Sequence, residues 1–226
     1  MFGLDDQIAT LGDGAAFALV AAVAILLGLR HATDPDHLTA VTTLVAGDER
    51  DARGAGRLGL AWGLGHATTL FAFGVPIVLF RAYLPDALQA GAEAAVGVVI
   101  VVLAVRLLLR WRGGALHDAQ AHPGRARTRA QAYGIGLVHG AGGSAGVGVL
   151  LLAAIPGHVE ALVALALFAL FTAVSMAAAS TTFGFVLSRD AVAGRWTAVA
   201  PALGLLSLAF GIWYALGAVQ AVPYMF

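Results

Sequence analysis

Two imidazoles and two carboxylates fall within seven residues, His31-Ala-Thr-Asp34-Pro35-Asp36-His37, on an otherwise apolar stretch of the chain. On an uninterrupted helix His31, Asp34 and His37 stand at i, i+3 and i+6, so they form one polar stripe on successive turns while Asp36 points elsewhere. Pro35 disturbs that stripe. It lacks an N–H and drives Asp34 out of helical geometry, so a kink or an unwound turn is expected here, freeing backbone carbonyls and letting Asp36 swing inward. Two neutral imidazoles with one or two carboxylates suit first-row divalent cations, because nitrogen donors favour nickel, cobalt, copper or zinc over magnesium or calcium. The chain has no cysteine, which excludes disulfides, thiolate metal sites and redox relays. The plainer alternative is a structural cluster, Arg30 paired with Asp34, that fixes helix packing.

Three further groups of polar residues interrupt apolar sequence. Gly63-Leu-Gly65-His66-Ala67-Thr68-Thr69 places His66 among small residues that permit close helix contact. Such a histidine is either a hydrogen-bonded packing residue or a ligand, and its pairing with the first cluster favours the ligand. His139-Gly-Ala-Gly-Gly-Ser144 is dense in glycine, which weakens a helix and allows tight backbone approach. It lacks the lysine of a phosphate-binding loop, so His139 is read as a ligand or gate, with a histidine bonded across helices as the alternative. Thr172, Ser175, Met176, Ser180, Thr181 and Thr182 form a third row. Hydroxyls in membrane helices most often bond back to their own backbone, so this row is expected to serve packing, with the lining of a hydrated route as the alternative. His117, His122 and His158 fall in loops and are left outside the site.

The surrounding sequence places these groups in lipid. Hydrophobic residues make up 60% of the 226 and charged residues 12%, with a mean hydropathy of +0.86, the composition of an integral membrane protein with no nucleic-acid surface. Six apolar runs, over residues 15–46, 58–80, 88–109, 132–154, 160–187 and 196–219, are long enough to cross a bilayer as helices. All thirteen basic residues are arginine. Arg50, Arg53 and Arg57 lie between runs one and two; Arg110, Arg112, Arg125, Arg127 and Arg129 between three and four; Arg189 and Arg195 between five and six. The opposite side carries only Arg81, together with Asp5, Asp6 and Asp13 near the N-terminus. The positive-inside rule then sets both termini outside the cytoplasm, in the cytoplasmic membrane. The N-terminus lacks the basic region of a signal peptide, so the first run is expected to remain as a helix.

The chain also repeats itself. Gly28-Leu-Arg-His31 recurs as Gly136-Leu-Val-His139, and Val78-Leu-Phe-Arg81 as Val186-Leu-Ser-Arg189, both at an offset of 108 residues. With three runs per half, the second copy is inverted relative to the first, an architecture that puts a substrate site at midplane between the repeats. The expected fold is therefore an all-α single transmembrane domain over residues 1–226, six helices as a 3+3 inverted repeat with an interrupted first helix. Repeat one spans about 15–110, an arginine-rich cytoplasmic linker about 111–130, and repeat two about 131–219.

Arg30-His31-Ala32-Thr33-Asp34-Pro35-Asp36-His37 resembles the hallmark R-H-A-x-D-A-D-H motif of the nickel/cobalt transporter superfamily. Leu64-Gly65-His66-Ala67-Thr68 is similar to that family's L-G-H-S-[ST] motif. The resemblance implies that His31, Asp36 and His37 recognise metal, that Asp34 belongs to the same site, and that His66 contributes from the second run. Pro35 stands where the family has alanine, Thr42 and Thr43 where it has an asparagine-containing stretch, and six runs where its classical members have eight spans. The run from His139 to Ala145 looks more like the six-span urease-associated membrane proteins of the wider superfamily.

The metal ligands expected are thus His31, Asp34, Asp36, His37, His66 and His139. Ni2+ or Co2+ is the transported substrate, and no catalytic cofactor is expected. Uptake would draw on the membrane potential, a proton gradient or an unseen partner; besides the ion and membrane lipids, a homo-oligomer or a partner subunit stays open. Two other classes fit less of the sequence. His31-x4-Asp36 also occurs in acyltransferases, and His/Asp clusters hold zinc in intramembrane hydrolases, but no nucleophile is evident here. A metal-sensing or packing subunit would bind metal without flux.

Overall fold

The computed structural model describes residues 4–48, 52–81, 85–114, 128–142, 149, 154–189, 192 and 195–223, and every described element is helical. In chain order these are α1 (Leu4–His31), α2 (Pro35–Asp48), α3 (Ala52–Phe80), α4 (Asp86–Arg112), α5 (Arg129–His139), α6 (His158–Leu187) and α7 (Trp196–Ala218). Four of them, α3, α4, α6 and α7, are long and apolar enough to cross a membrane. The pair Phe17–His31 and Pro35–Val45, bent by 48°, makes a fifth when counted as one broken span.

The break falls where Pro35 requires it. After His31 the chain makes a turn through Ala32, Thr33 and Asp34, with Thr33 N–H donating to Arg30 O at 2.8 Å and Asp34 N–H to His31 O at 3.1 Å. Helix α2 then opens on Pro35 itself, where the missing N–H would have had no intrahelical acceptor anyway. Leu38 N–H to Asp34 O, 2.9 Å, closes the first turn of the new helix. The stripe expected of an unbroken helix is thereby replaced by two helix ends that carry His31 and His37 toward each other.

The run expected over 132–154 is described only in part. Helix α5, started by a capping box between Thr128 and Gln131, ends at His139 after eleven residues, too short to cross a bilayer at ~1.5 Å per residue. Residues 143–148 and 150–153, including Ser144, lie outside the described residues, as do Arg50, Arg125, Arg127, His117 and His122.

Packing follows the small residues. Helix α3 runs antiparallel along α6, with Gly59 against Met176 and Ser180, Gly63 against Ala173 and Gly74 against Leu165. A Cβ on Gly63 would lie 2.8 Å from Ala173 Cα, so only glycine lets these backbones approach. Helix α1 packs on α6, α5 on α3, and α4 on α7. Gly28 sits against Phe168 and Thr172 of α6, while Gly136 sits against Trp62 and His66 of α3. Two hydroxyls tie the same joints: Ser175 Oγ–H donates to Gly28 O at 3.0 Å and Thr69 Oγ1–H to Leu137 O at 2.8 Å.

The distribution of polarity is that of a membrane protein. Leu19, Leu26, Leu64, Phe80, Leu109, Val159, Leu205 and Leu206 are exposed, whereas His31, Asp36, His37, His66, His139, Thr172 and Ser180 are buried. An ionisable group at the centre of a bilayer costs about 3 kcal/mol on insertion scales, so such groups gather where they satisfy one another or a ligand.

Candidate metal centre

Four buried imidazoles meet at the break between α1 and α2. His31 comes from the end of α1, His37 from the first turn of α2, His66 from the middle of α3 and His139 from the end of α5. His37, His66 and His139 are fully buried and His31 is nearly so. His37 is central: its ring centroid lies 4.4 Å from that of His31, 4.6 Å from His139 and 5.1 Å from His66. Two sets of donor atoms each come within 4.8 Å of one another, His31–His37–His66 and Asp36–His37–His139, and His37 belongs to both.

The two carboxylates have different places. Asp36, turned inward by the break, bridges two rings: Oδ1 lies 3.3 Å from His37 Nδ1 and Oδ2 3.3 Å from His139 Nε2. Asp34 stays beside the cluster, with Oδ2 3.3 Å from His31 Nδ1 and Oδ1 3.6 Å from Arg30 Nη2. The Arg30–Asp34 pair considered as a packing device therefore exists, and it coexists with the His31 contact. A carboxylate on one ring nitrogen fixes the tautomer that presents the other as a lone pair, the arrangement by which proteins orient metal-binding histidines.

Several polar atoms in the cluster have no hydrogen-bond partner among the described residues: His37 Nε2, His66 Nδ1, His139 Nδ1 and, beside them, Trp62 Nε1; Thr172 Oγ1 on α6 has none either. Buried polar atoms are ordinarily paired, so three unpartnered ring nitrogens in one cluster, with Trp62 Nε1 unpartnered beside two of the rings, mark a place that takes a polar ligand. Aromatic rings wall the cluster. Trp62 lies 5.6 Å from His37 and meets His139 edge-on at 5.5 Å, and Phe168 meets His31 edge-on at 5.5 Å. These walls lower the local dielectric, which strengthens any bond between a cation and the donors.

All six residues singled out from sequence are buried around this break, with Asp34 at its edge and outside both donor sets. His158, which opens α6, is exposed. In the hydroxyl row, Ser175 and Thr181 do bond to backbone carbonyls, as expected for packing. Thr172 and Ser180 do not. Sequence reasoning passed over Trp62, whose only signal was an aromatic one turn before His66, and Glu93, a buried carboxylate in α4 that accepts from Gln89 Nε2 at 3.1 Å.

No family model matches the chain, and no solved structure matches it. A similar protein is the urease accessory protein UreH of Bacillus sp. (strain TB-90), 28% identical over 199 residues that cover 84% of this chain and 87% of that protein.

Proposed function

We propose that the chain is a secondary transporter of a divalent transition-metal ion, Ni2+ or Co2+, moving it inward across the cytoplasmic membrane through the imidazole cluster. The observation that carries this reading is His37, shared between a three-histidine donor set and an Asp–His–His donor set. Two overlapping sets let an ion pass from one to the other without returning to water, and binding that is shared in this way remains weak enough at each set for release. Nitrogen-rich donors with one bridging carboxylate suit nickel or cobalt better than magnesium or calcium. A urease accessory role, which the similar Bacillus protein's name carries, agrees with nickel as cargo.

In this reading the protein has six spans as a 3+3 inverted repeat, on the six-span branch of the nickel/cobalt transporter superfamily, with both termini outside. Support comes from the reciprocal joints. Gly28 on α6 and Gly136 on α3 make matching close approaches, and Ser175 to Gly28 matches Thr69 to Leu137. Trp62 and Phe168, His66 and Thr172, and Thr69 and Ser175 are each separated by the same number of residues. The break at Pro35 and the end of α5 at His139 then stand as the paired helix interruptions at midplane that such transporters use.

The test is uptake of radioactive nickel by proteoliposomes holding the full chain, compared with His37→Ala. The reading expects saturable uptake by the wild type and near-complete loss in the variant. Equal rates would remove it, and turnover of lipid with no retained metal would favour an intramembrane enzyme.

A further inference from the structure

Thr172 is fully buried in α6, and its Oγ1 has no hydrogen-bond partner among the described residues. A threonine in a membrane helix ordinarily returns its hydroxyl to a carbonyl three or four residues back, as Thr181 does to Ala177 and Thr68 to Leu64. Thr172 forgoes that bond.

Its placement gives the reason. Thr172 stands one turn along α6 from Phe168, the residue whose ring edge meets His31 at 5.5 Å, so both lie on the α6 face that turns to the cluster. The Thr172 backbone N lies 3.1 Å from where a Cβ on Gly28 would sit, just as the His66 backbone N lies 2.8 Å from where a Cβ on Gly136 would sit. The antiparallel register of α3 on α6, fixed by Gly63 beside Ala173 and Gly74 beside Leu165, brings His66 and Thr172 to one level. His66 enters the cluster from α3 at that level. Thr172 lies at that level on α6, with an oxygen that has no hydrogen-bond partner among the described residues.

We infer that Thr172 is the α6 counterpart of His66 and gives its hydroxyl oxygen to the cation, directly or through a water the cation keeps, and that this contact sets the preference among divalent ions. The inference rests on the transport reading above. A neutral hydroxyl adds a donor beyond the imidazoles without adding charge. That serves ions that take more than four ligands and does little for zinc, which is four-coordinate in most structural protein sites.

The experiment uses the full chain in proteoliposomes and measures nickel affinity by uptake, together with competition by zinc, for wild type, T172V, T172S and T172A. T172V keeps the side-chain volume and deletes the oxygen; T172A deletes it with less bulk and answers the question should the valine disturb assembly. Loss of an outer contact to a metal centre weakens binding about tenfold or more, so T172V and T172A should lose about that much nickel affinity while zinc competes better. T172S, which restores the hydroxyl, should recover most of the loss. Unchanged affinity and unchanged zinc competition in T172V and T172A would overturn the inference alone, as would an equal loss in all three variants, the signature of packing. A wild type that neither binds nor moves nickel would instead remove the transport reading itself.

Discussion

His31 and His66 face each other ring nitrogen to ring nitrogen, Nε2 to Nε2, at 3.0 Å. Asp34 on the far nitrogen of His31 favours the tautomer with a proton on Nδ1, which leaves the His31 Nε2 lone pair directed at His66. Without an ion, His66 must fill the gap with an Nε2 proton; with one, both rings offer lone pairs to a common centre.

The pair should therefore behave as one unit in binding. His31→Ala and His66→Ala are each expected to weaken nickel binding strongly, and the double variant to fall little further than the worse single. Retention of radioactive nickel by purified protein, arranged as a double-mutant cycle, measures this coupling. Strictly additive losses would mean that the two rings serve separate purposes.

The carboxylates should separate by role. Asp36 touches two rings of one donor set, whereas Asp34 orients His31 from outside both sets. Asp34→Asn is expected to cost roughly 10–100-fold in nickel affinity, the range for residues that orient metal ligands. Asp36→Asn replaces a charged oxygen donor by a weaker, neutral one, and it should cost more. Equilibrium binding to the two variants decides the order.

Acidification should weaken binding. A proton and a cation compete for the same imidazole lone pair, so metal binding releases protons and apparent affinity falls as pH falls. The sign holds for each of the four rings. Nickel binding measured across a pH series at fixed ionic strength should show a monotonic decline toward acid. Affinity that rises on acidification would contradict ligation by neutral histidine.

Much of this site was legible from residue types. The position of Pro35 pointed to a break, and the break is present between His31 and Pro35, in place of the single stripe that the spacing of His31, Asp34 and His37 would give on an unbroken helix. It was the break that turned Asp36 inward, as the proline argument allowed and an unbroken helix did not. The places of Trp62 and Thr172 were not legible. Each depends on the register of one helix on another, which Gly63 and Gly136 set through contacts distant in the chain, and a single sequence carries no record of that register. The six apolar runs were read from hydropathy; of the fourth, α5 ends at His139 with Gly140 as its C-cap, and residues 143–148 and 150–153 lie outside the described residues.

The most direct test of the central claim is anomalous scattering at the nickel edge from metal-soaked crystals of the full chain. The account predicts one dominant peak enclosed by His31, His37 and His66, within bonding reach of their ring nitrogens, or displaced toward Asp36 and His139. A peak only at exposed His158, or no peak among the four buried rings after soaking, would contradict it.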